Sequence, residues 1–330
     1  MSAKLLQHRS RDTSANTCME ERSMKRGAQP PLSPEGRQAL DHYAYELQQV
    51  EDLSVITIRN YLSDLRQFMA WCECQWHDAQ EDRPFTPQAV ALPLLIRYRA
   101  HLQMTLWLKP ATVNRALMSL KRFFAWVTKA GIIQSDPAAT LKFVPKEVPA
   151  PRHVSDEEEN ALVAAVNATG TQRDQTIITL LLHTGLRAQE LCTLTRQQVH
   201  LGKRNGTLHI ISKRKKVRDV PLNATARSIL VKYLATLPQE CQYLFPSEKT
   251  HQALTGRALG HLITKYAVQA QVADVSPHDL RHRFGYRVAE VVPLHRLAQI
   301  MGHDSPDTTM LYIRGTKQDL QQDVERIAWM

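Results

Sequence analysis

The sequence predicts a mainly α-helical protein of two domains, the second carrying a small β-hairpin. Three observations support this. Apolar residues recur every three to four positions through much of the first half, the period of one helix face. The stretch from Val144 to Arg152 places three prolines and three charges in nine residues, which reads as an extended interdomain linker. Two short runs, Thr207–Ile211 and Val217–Leu222, have strand character on either side of a basic turn. A length of 330 residues also suits about two domains.

In chain order, residues 1–33 are polar, lack periodicity and end in Gln29-Pro30-Pro31-Leu32-Ser33-Pro34; they are expected to form a disordered arm. Residues 34–143 form the first, all-helical domain. Val55, Ile58, Leu62, Leu65 and Met69 mark one helix face, and Val113, Leu117, Leu120, Phe124 and Val127 another. On the second helix Asn114, Arg115, Lys121 and Arg122 lie off the apolar stripe. Such a face either meets DNA phosphates or is simply a solvated charged surface. Residues 144–152 are the linker.

The second domain, 153–330, opens on a cap signal, Ser155 with Glu158 three residues later. Ile177–Leu182 reads as a buried helix ended by Gly185, and a new helix begins at Arg187 and runs through Leu191 and Leu194. The hairpin tip is Ser212-Lys213-Arg214-Lys215-Lys216. The remainder reads as helices. In the last, from about Lys317 to Trp329, Leu320, Val324, Ile327 and Ala328 form an apolar stripe. It either packs on its own domain or docks on a second copy.

A hydrophobic fraction of 43% provides for buried cores, and a net charge of +10 points to a polyanion, nucleic acid first. The five cysteines are irregularly spaced, and Cys72-Glu73-Cys74 has no matching second pair. Neither a disulfide framework nor a zinc site is expected, and a reducing cytoplasm fits. No apolar run approaches the ~20 residues of a membrane span, and no secretory signal is seen.

The chemistry concentrates late in the chain, in Pro277-His278-Asp279-Leu280-Arg281-His282, Met301-Gly302-His303-Asp304 and Tyr312. Breaking a phosphodiester requires a nucleophile, neutralisation of the non-bridging oxygens and a proton for the leaving oxygen. Arg187, at a helix start, and Arg281 offer two planar forks that match phosphate. His278, three residues before Arg281, and His303 can donate to phosphate. Lys213 on the hairpin tip can act as the general acid. Tyr312 is the candidate nucleophile; its ordinary pKa of about 10 calls for cationic neighbours. His278 and His282 stand four apart, a spacing shared with helical metal pairs, but the pattern is not His-Glu-x-x-His and no metal is expected.

The order of these motifs resembles the tyrosine recombinases, the family of phage integrases and their Xer-like and transposon relatives. The match runs from about residue 35 to the end. Thr184-Gly185-Leu186-Arg187-Ala188-Gln189-Glu190-Leu191 is similar to the family's first arginine box, and Lys213 followed by Val220-Pro221-Leu222 to its hairpin lysine. His278 to His282 is similar to the His-x-x-Arg box, and Met301 to Tyr312 to the last box, with its His-to-Tyr gap of nine. Thr57-Ile58-Arg59-Asn60-Tyr61 and Ala111-Thr112-Val113-Asn114-Arg115 resemble the core-binding domain. Two departures are Ala188-Gln189 before the acid and Arg283-Phe284-Gly285-Tyr286 after His282.

The resemblance implies a SAM-like four-helix core-binding domain and a mixed α+β catalytic domain, closing as a C-shaped clamp on DNA. It implies that Arg187, Arg281, His278 and His303 hold the phosphate, Lys213 protonates the leaving oxygen, and Tyr312 forms a 3′-phosphotyrosine. Glu190 would orient Arg187. Thr57, Arg59, Asn114, Arg115, Arg122, Arg214 and Lys215 would contact DNA. No cofactor is implied. The implied partner is double-stranded DNA with inverted repeats, bound by a homotetramer on two sites through the C-terminal segment, in the cytoplasm at the nucleoid. A topoisomerase of type IB, nicking and closing one duplex, is the alternative with the same chemistry.

Overall fold

The computed structural model describes residues 30–50, 53–146, 152–211, 217–302, 309–310 and 312. Expectations for residues 1–29, for Lys213, Arg214, Lys215 and His303, and for the segment after Tyr312 lie outside them. The chain divides into two compact units between Val148 and Pro149.

The first unit is built on α1 (Pro34–Val50), α2 (Val55–Asp78), α3 (Leu92–Ala100) and α4 (Pro110–Lys129). Each start has a local cause. The Ser54 side chain accepts the Thr57 amide at the head of α2, and Pro110 occupies the first turn of α4, where an N–H would have no helical partner. The α4 stripe of Val113, Leu117, Leu120, Phe124 and Val127 is buried as its period predicts. On α2, Leu65 and Met69 are buried but Val55 is 83% exposed. Periodicity marks a face, not how far a neighbouring element covers it. Phe68 centres the core, edge-on to Phe85, Tyr98 and Phe124. Leu32, assigned to the arm by its polar neighbourhood, is buried in this core, and Ser33 donates its amide to Glu73.

The second unit begins with α5 (Asp156–Thr169), whose Ser155–Glu158 capping box is formed in both directions. Next come α6 (Gln172–Thr184), ended by Gly185 at φ +61°, and the short α7 (Ala188–Cys192). The sheet is an antiparallel meander of β1 (Val199–Leu201), β2 (Gly206–Ile211) and β3 (Val217–Pro221). The sequence reading held only β2 and β3; three residues are too few for β1 to show an alternation. It also carried the Arg187 helix through Leu194. The helix ends at Cys192 because Leu194 turns out to accept the Leu244 amide at 2.7 Å. Among the described residues, four further named helices follow: α8 (Ala224–Thr236), α9 (Gly256–Gln269), α10 (Pro277–Ala289) and α11 (Leu294–Met301). The large core lies among α5–α9 and the sheet, and a smaller cluster joins Tyr286, Leu297, Met301 and Tyr312.

Candidate active site

The site forms where α7, β3, α10 and the end of α11 meet. α6 stops at Gly185, whose left-handed conformation suits glycine. A Cβ there would also lie 2.3 Å from Phe284 Cδ1, so the Phe284 ring closes directly over the turn. The chain then enters α7 with Arg187 as its N-cap.

Arg187 donates its backbone amide to Glu190 Oε2 at 2.8 Å and its Nη1 to Oε1 at 2.9 Å. Its Nη2 donates to the Gly302 carbonyl. Arg281, 3% exposed on α10, donates Nη2 to the preceding carbonyl, Met301 O, at 2.8 Å, and Nη1 to Gly185 O. Two guanidinium groups thus rest on consecutive carbonyls at the C-terminal end of α11, the negative end of that helix. Burial, then the charge of Arg187, brings Arg281 down to about 10. Two cations drawn together in a partly desolvated place favour an anion between them.

Glu190 is held from a second side. Arg218 on β3 pairs with it through both Nη atoms at 2.8 Å and donates Nε to Ile300 O at 3.1 Å. Burial alone would raise the Glu190 carboxyl, but hydrogen bonds from Arg218 and the Arg187 backbone prevail and hold it at about 2. The sequence reading missed Arg218. A signal was present: Arg218 has the same strand parity as the buried Val220, so it points inward, where a charge needs a partner.

Tyr312 is 1% exposed, with its hydroxyl 3.1 Å from His282 Nδ1. Burial raises the phenol to about 12 although Arg281 and Arg187 pull it down. His282, lowered to about 4 by burial and then by His278, is neutral near pH 7. Its ring meets that of His278 at 4.2 Å, edge to face, so the two histidines considered as a metal pair sit beside the tyrosine. The departure after His282 is also accounted for. Arg283 turns away from the site to Glu159 at 2.6 Å and to Asp156, while Gly285 faces the Tyr312 ring.

The structure thus brings Arg187, Glu190, His278, Arg281 and Tyr312 into one cluster. In the first unit, Arg59 is exposed, and Thr57 is engaged with the Ser54 cap. The polar side chains off the α4 stripe make contacts within the unit. Asn114 makes two hydrogen bonds with the Val144 backbone, at 2.8 and 2.9 Å. Lys121 donates to Ala138 O and Ala139 O. Arg115 pairs with the buried Asp64 at 2.6 Å, and Arg122 lies 5.4 Å from the Tyr61 ring centroid. Lys121 and Asn114 therefore clasp the segment after α4 rather than forming a plain solvated face.

The model of the phage integrase family matches residues 152–319, and that of the phage integrase N-terminal SAM-like domain matches residues 40–131. The chain is 30% identical over 294 residues to tyrosine recombinase XerD of Pseudomonas putida, covering 86% of this chain and 94% of that one. It is 28% identical over 282 residues to XerC of Thermodesulfovibrio yellowstonii, covering 82% and 88%. Among solved structures it resembles the Tn1549 transposon integrase in complex with transposon right end DNA, with a TM-score of 0.69 at 18% identity over 88% of this chain and 99% of that one. The XerH site-specific recombinase bound to palindromic difH substrate gives 0.67 at 19% over 88% and 93%.

Proposed function

The chain belongs to the phage integrase family, the tyrosine recombinases, which cleave and rejoin DNA, and from that premise we propose that Tyr312 is its nucleophile and Arg187 and Arg281 its phosphate grip. One observation carries the assignment: both forks rest on the adjacent carbonyls of Met301 and Gly302, in the cluster that also holds the Tyr312 phenol. A scissile phosphate would replace two neutral carbonyls by an anion, and the charge-assisted bonds formed are the stronger ones.

Tyr312 Oη then attacks phosphorus as its proton passes to the neutral His282 Nδ1, 3.1 Å away; a new P–O bond forms to tyrosine and the P–O5′ bond breaks. In this reading Lys213 delivers the proton that the 5′ oxygen takes, and His278 and His303 add donors to the phosphate. The phosphotyrosine conserves the bond energy, so a 5′ hydroxyl can reverse the step on a second strand without a cofactor.

The proposal extends to a simple-site recombinase. It would act on double-stranded DNA with inverted repeats, as a homotetramer on two sites, within the cytoplasm at the nucleoid. Its task would be integration or excision of a mobile element, or resolution of dimers. Support comes from the Xer names of relatives that cover most of the chain, and from neighbours solved on recombination-site DNA.

The test is a nicked suicide duplex that traps the cleaved state. The parent should give an SDS-stable, protease-sensitive adduct, and Tyr312→Phe should bind the duplex without forming one. An adduct from Tyr312→Phe would show the nucleophile to be another residue. Products that need two sites rather than one would separate strand exchange from simple nicking and closing.

A further inference from the structure

We propose that Arg218 is a positioning residue that occupies Glu190, so that only one edge of the Arg187 side chain is spent on the carboxylate and the other can meet phosphate. The proposal rests on the reading of Arg187 as a phosphate ligand.

A carboxylate offers about four acceptor positions, and on Glu190 the same number of bonds is found. Oε1 accepts Arg187 Nη1 at 2.9 Å and Arg218 Nη1 at 2.8 Å; Oε2 accepts the Arg187 amide and Arg218 Nη2, both at 2.8 Å. The Glu190 side chain is 7% exposed and that of Arg218 12%, so water has little access to a vacated position. Arg187 is 40% exposed and has room to move.

Without Arg218, the buried carboxylate would take the nearest remaining fork. Arg187 would rotate into a two-pronged pair, the strong geometry for arginine and carboxylate, and its Nη2 would leave the Gly302 carbonyl. An arginine closed on Glu190 presents no edge to a phosphate. The network is thus a division of labour between two arginines that compete for one acid.

Arg218 is itself fixed in place. Nε is bound to Ile300 O at 3.1 Å. Gly302, at φ +64°, leaves the guanidinium its space: a Cβ there would stand 2.9 Å from Arg218 Cδ and Nη1. One side chain therefore links β3, the start of α7 and the turn after α11, and it holds the Arg187 acceptor on Gly302 and the Glu190 acid in one frame.

The experiment is single-turnover cleavage of a suicide duplex by the full chain, with duplex affinity and thermal melts measured in parallel. Arg218→Gln should bind duplex as the parent does, yet cleave slower by on the order of 10²-fold, the scale of a misplaced positioning group. Adding Glu190→Gln removes the charge that captures Arg187, so the double variant should recover about tenfold over Arg218→Gln alone.

A stabilising role alone makes the double variant no faster than the single, or makes the rate loss follow the lost folded fraction; either result overturns the proposal, as does cleavage by Arg218→Gln at the parent rate. Arg218→Lys, which keeps the charge and loses the fork, carries the same test with the same Glu190→Gln rescue if the glutamine variant does not fold. Arg187→Gln separates the two levels. If it cleaves like the parent, the reading of Arg187 fails and the proposal with it. If it is inactive while Arg218→Gln cleaves at the parent rate, the site reading stands and only the role of Arg218 is lost.

Discussion

Gly285 on α10 leaves the space that the Tyr312 ring fills: a Cβ at Gly285 would stand 2.5 Å from Tyr312 Cζ and 2.6 Å from Cε1. Glycine inside a helix costs about 1 kcal/mol relative to alanine, and here that cost gives the phenol a seat. The seat is completed by Tyr286, perpendicular to Tyr312 at 5.2 Å, and by His282 Nδ1.

Gly285→Ala should therefore abolish most adduct formation while duplex binding persists. Overpacking of ~1–3 kcal/mol would offset any gain in helix propensity. Gly260 on α9 is the control, because a Cβ there meets nothing within 4 Å. Gly260→Ala should raise stability by roughly 0.5–1 kcal/mol and leave cleavage unchanged. Thermal melts and adduct yield on the two variants test the pair; equal yields would remove Gly285 from the site.

Acid should unfold the second unit in two stages. His282 titrates near 4 in the fold against an ordinary 6.5, held down by burial and then by His278, with Asp279 pulling the other way and Arg281 adding to the depression. The unfolded chain therefore binds more protons between those values, and stability falls as pH drops from about 6.5 to 4, by up to roughly 3 kcal/mol. Glu190, held near 2 against 4.5, extends the loss below pH 4.5 in the same direction. His282→Gln should flatten the first stage and keep the second. A melting-temperature profile from pH 7 to 3 checks this, and an unchanged first stage would clear His282 of it.

Much of this was legible in the sequence, for reasons that can be named. Gly185 ended α6 because helix C-termini demand a residue tolerant of positive φ, and Ser155 with Glu158 announced α5 because a capping box is local chemistry. Arg187, Arg281 and Tyr312 stood out because forks and a phenol are rare in company. What stayed hidden depended on contacts distant in the chain. Arg218 reaches Glu190 across 28 positions, and Gly285 matters only through a ring 27 residues later in the chain. No local pattern shows that Val144 and Ala138 fold back onto α4, where Asn114 and Lys121 bind their backbone.

Arg283 is expected to be a stability residue despite its place beside the His278–His282 box. It is 4% exposed and bonds Glu159, itself 9% exposed, and Asp156. Arg283→Met would strip Glu159 down to the more exposed Arg287, at 3.1 Å. Leaving a buried carboxylate poorly paired costs about 3–5 kcal/mol. Adding Glu159→Leu should recover a good part of that loss, because both charges then disappear together. Denaturant melts of the two singles and the double close the cycle; strictly additive losses would mean that the pair is not coupled.

The first unit should separate DNA contacts from structural ones by their salt dependence. Arg59 is exposed near the head of α2, where no ion pair or hydrogen bond holds its side chain among the described residues. If it meets a phosphate, Arg59→Gln should reduce the slope of log affinity against log salt by about 0.9. Asn114→Ala leaves charge untouched and should instead release the Val144 backbone from α4. The expected result is faster hydrogen exchange at Val144, whose amide now donates to Asn114 Oδ1 at 2.8 Å, with the salt slope unchanged. Arg115→Gln mixes the two effects, because it removes a cation and unpairs Asp64, a carboxyl that burial already raises. It should therefore lower the melting temperature in addition to any change in slope. A full slope change in Asn114→Ala, or none in Arg59→Gln, would reverse this division between a face proposed for DNA and the side chains that hold the fold.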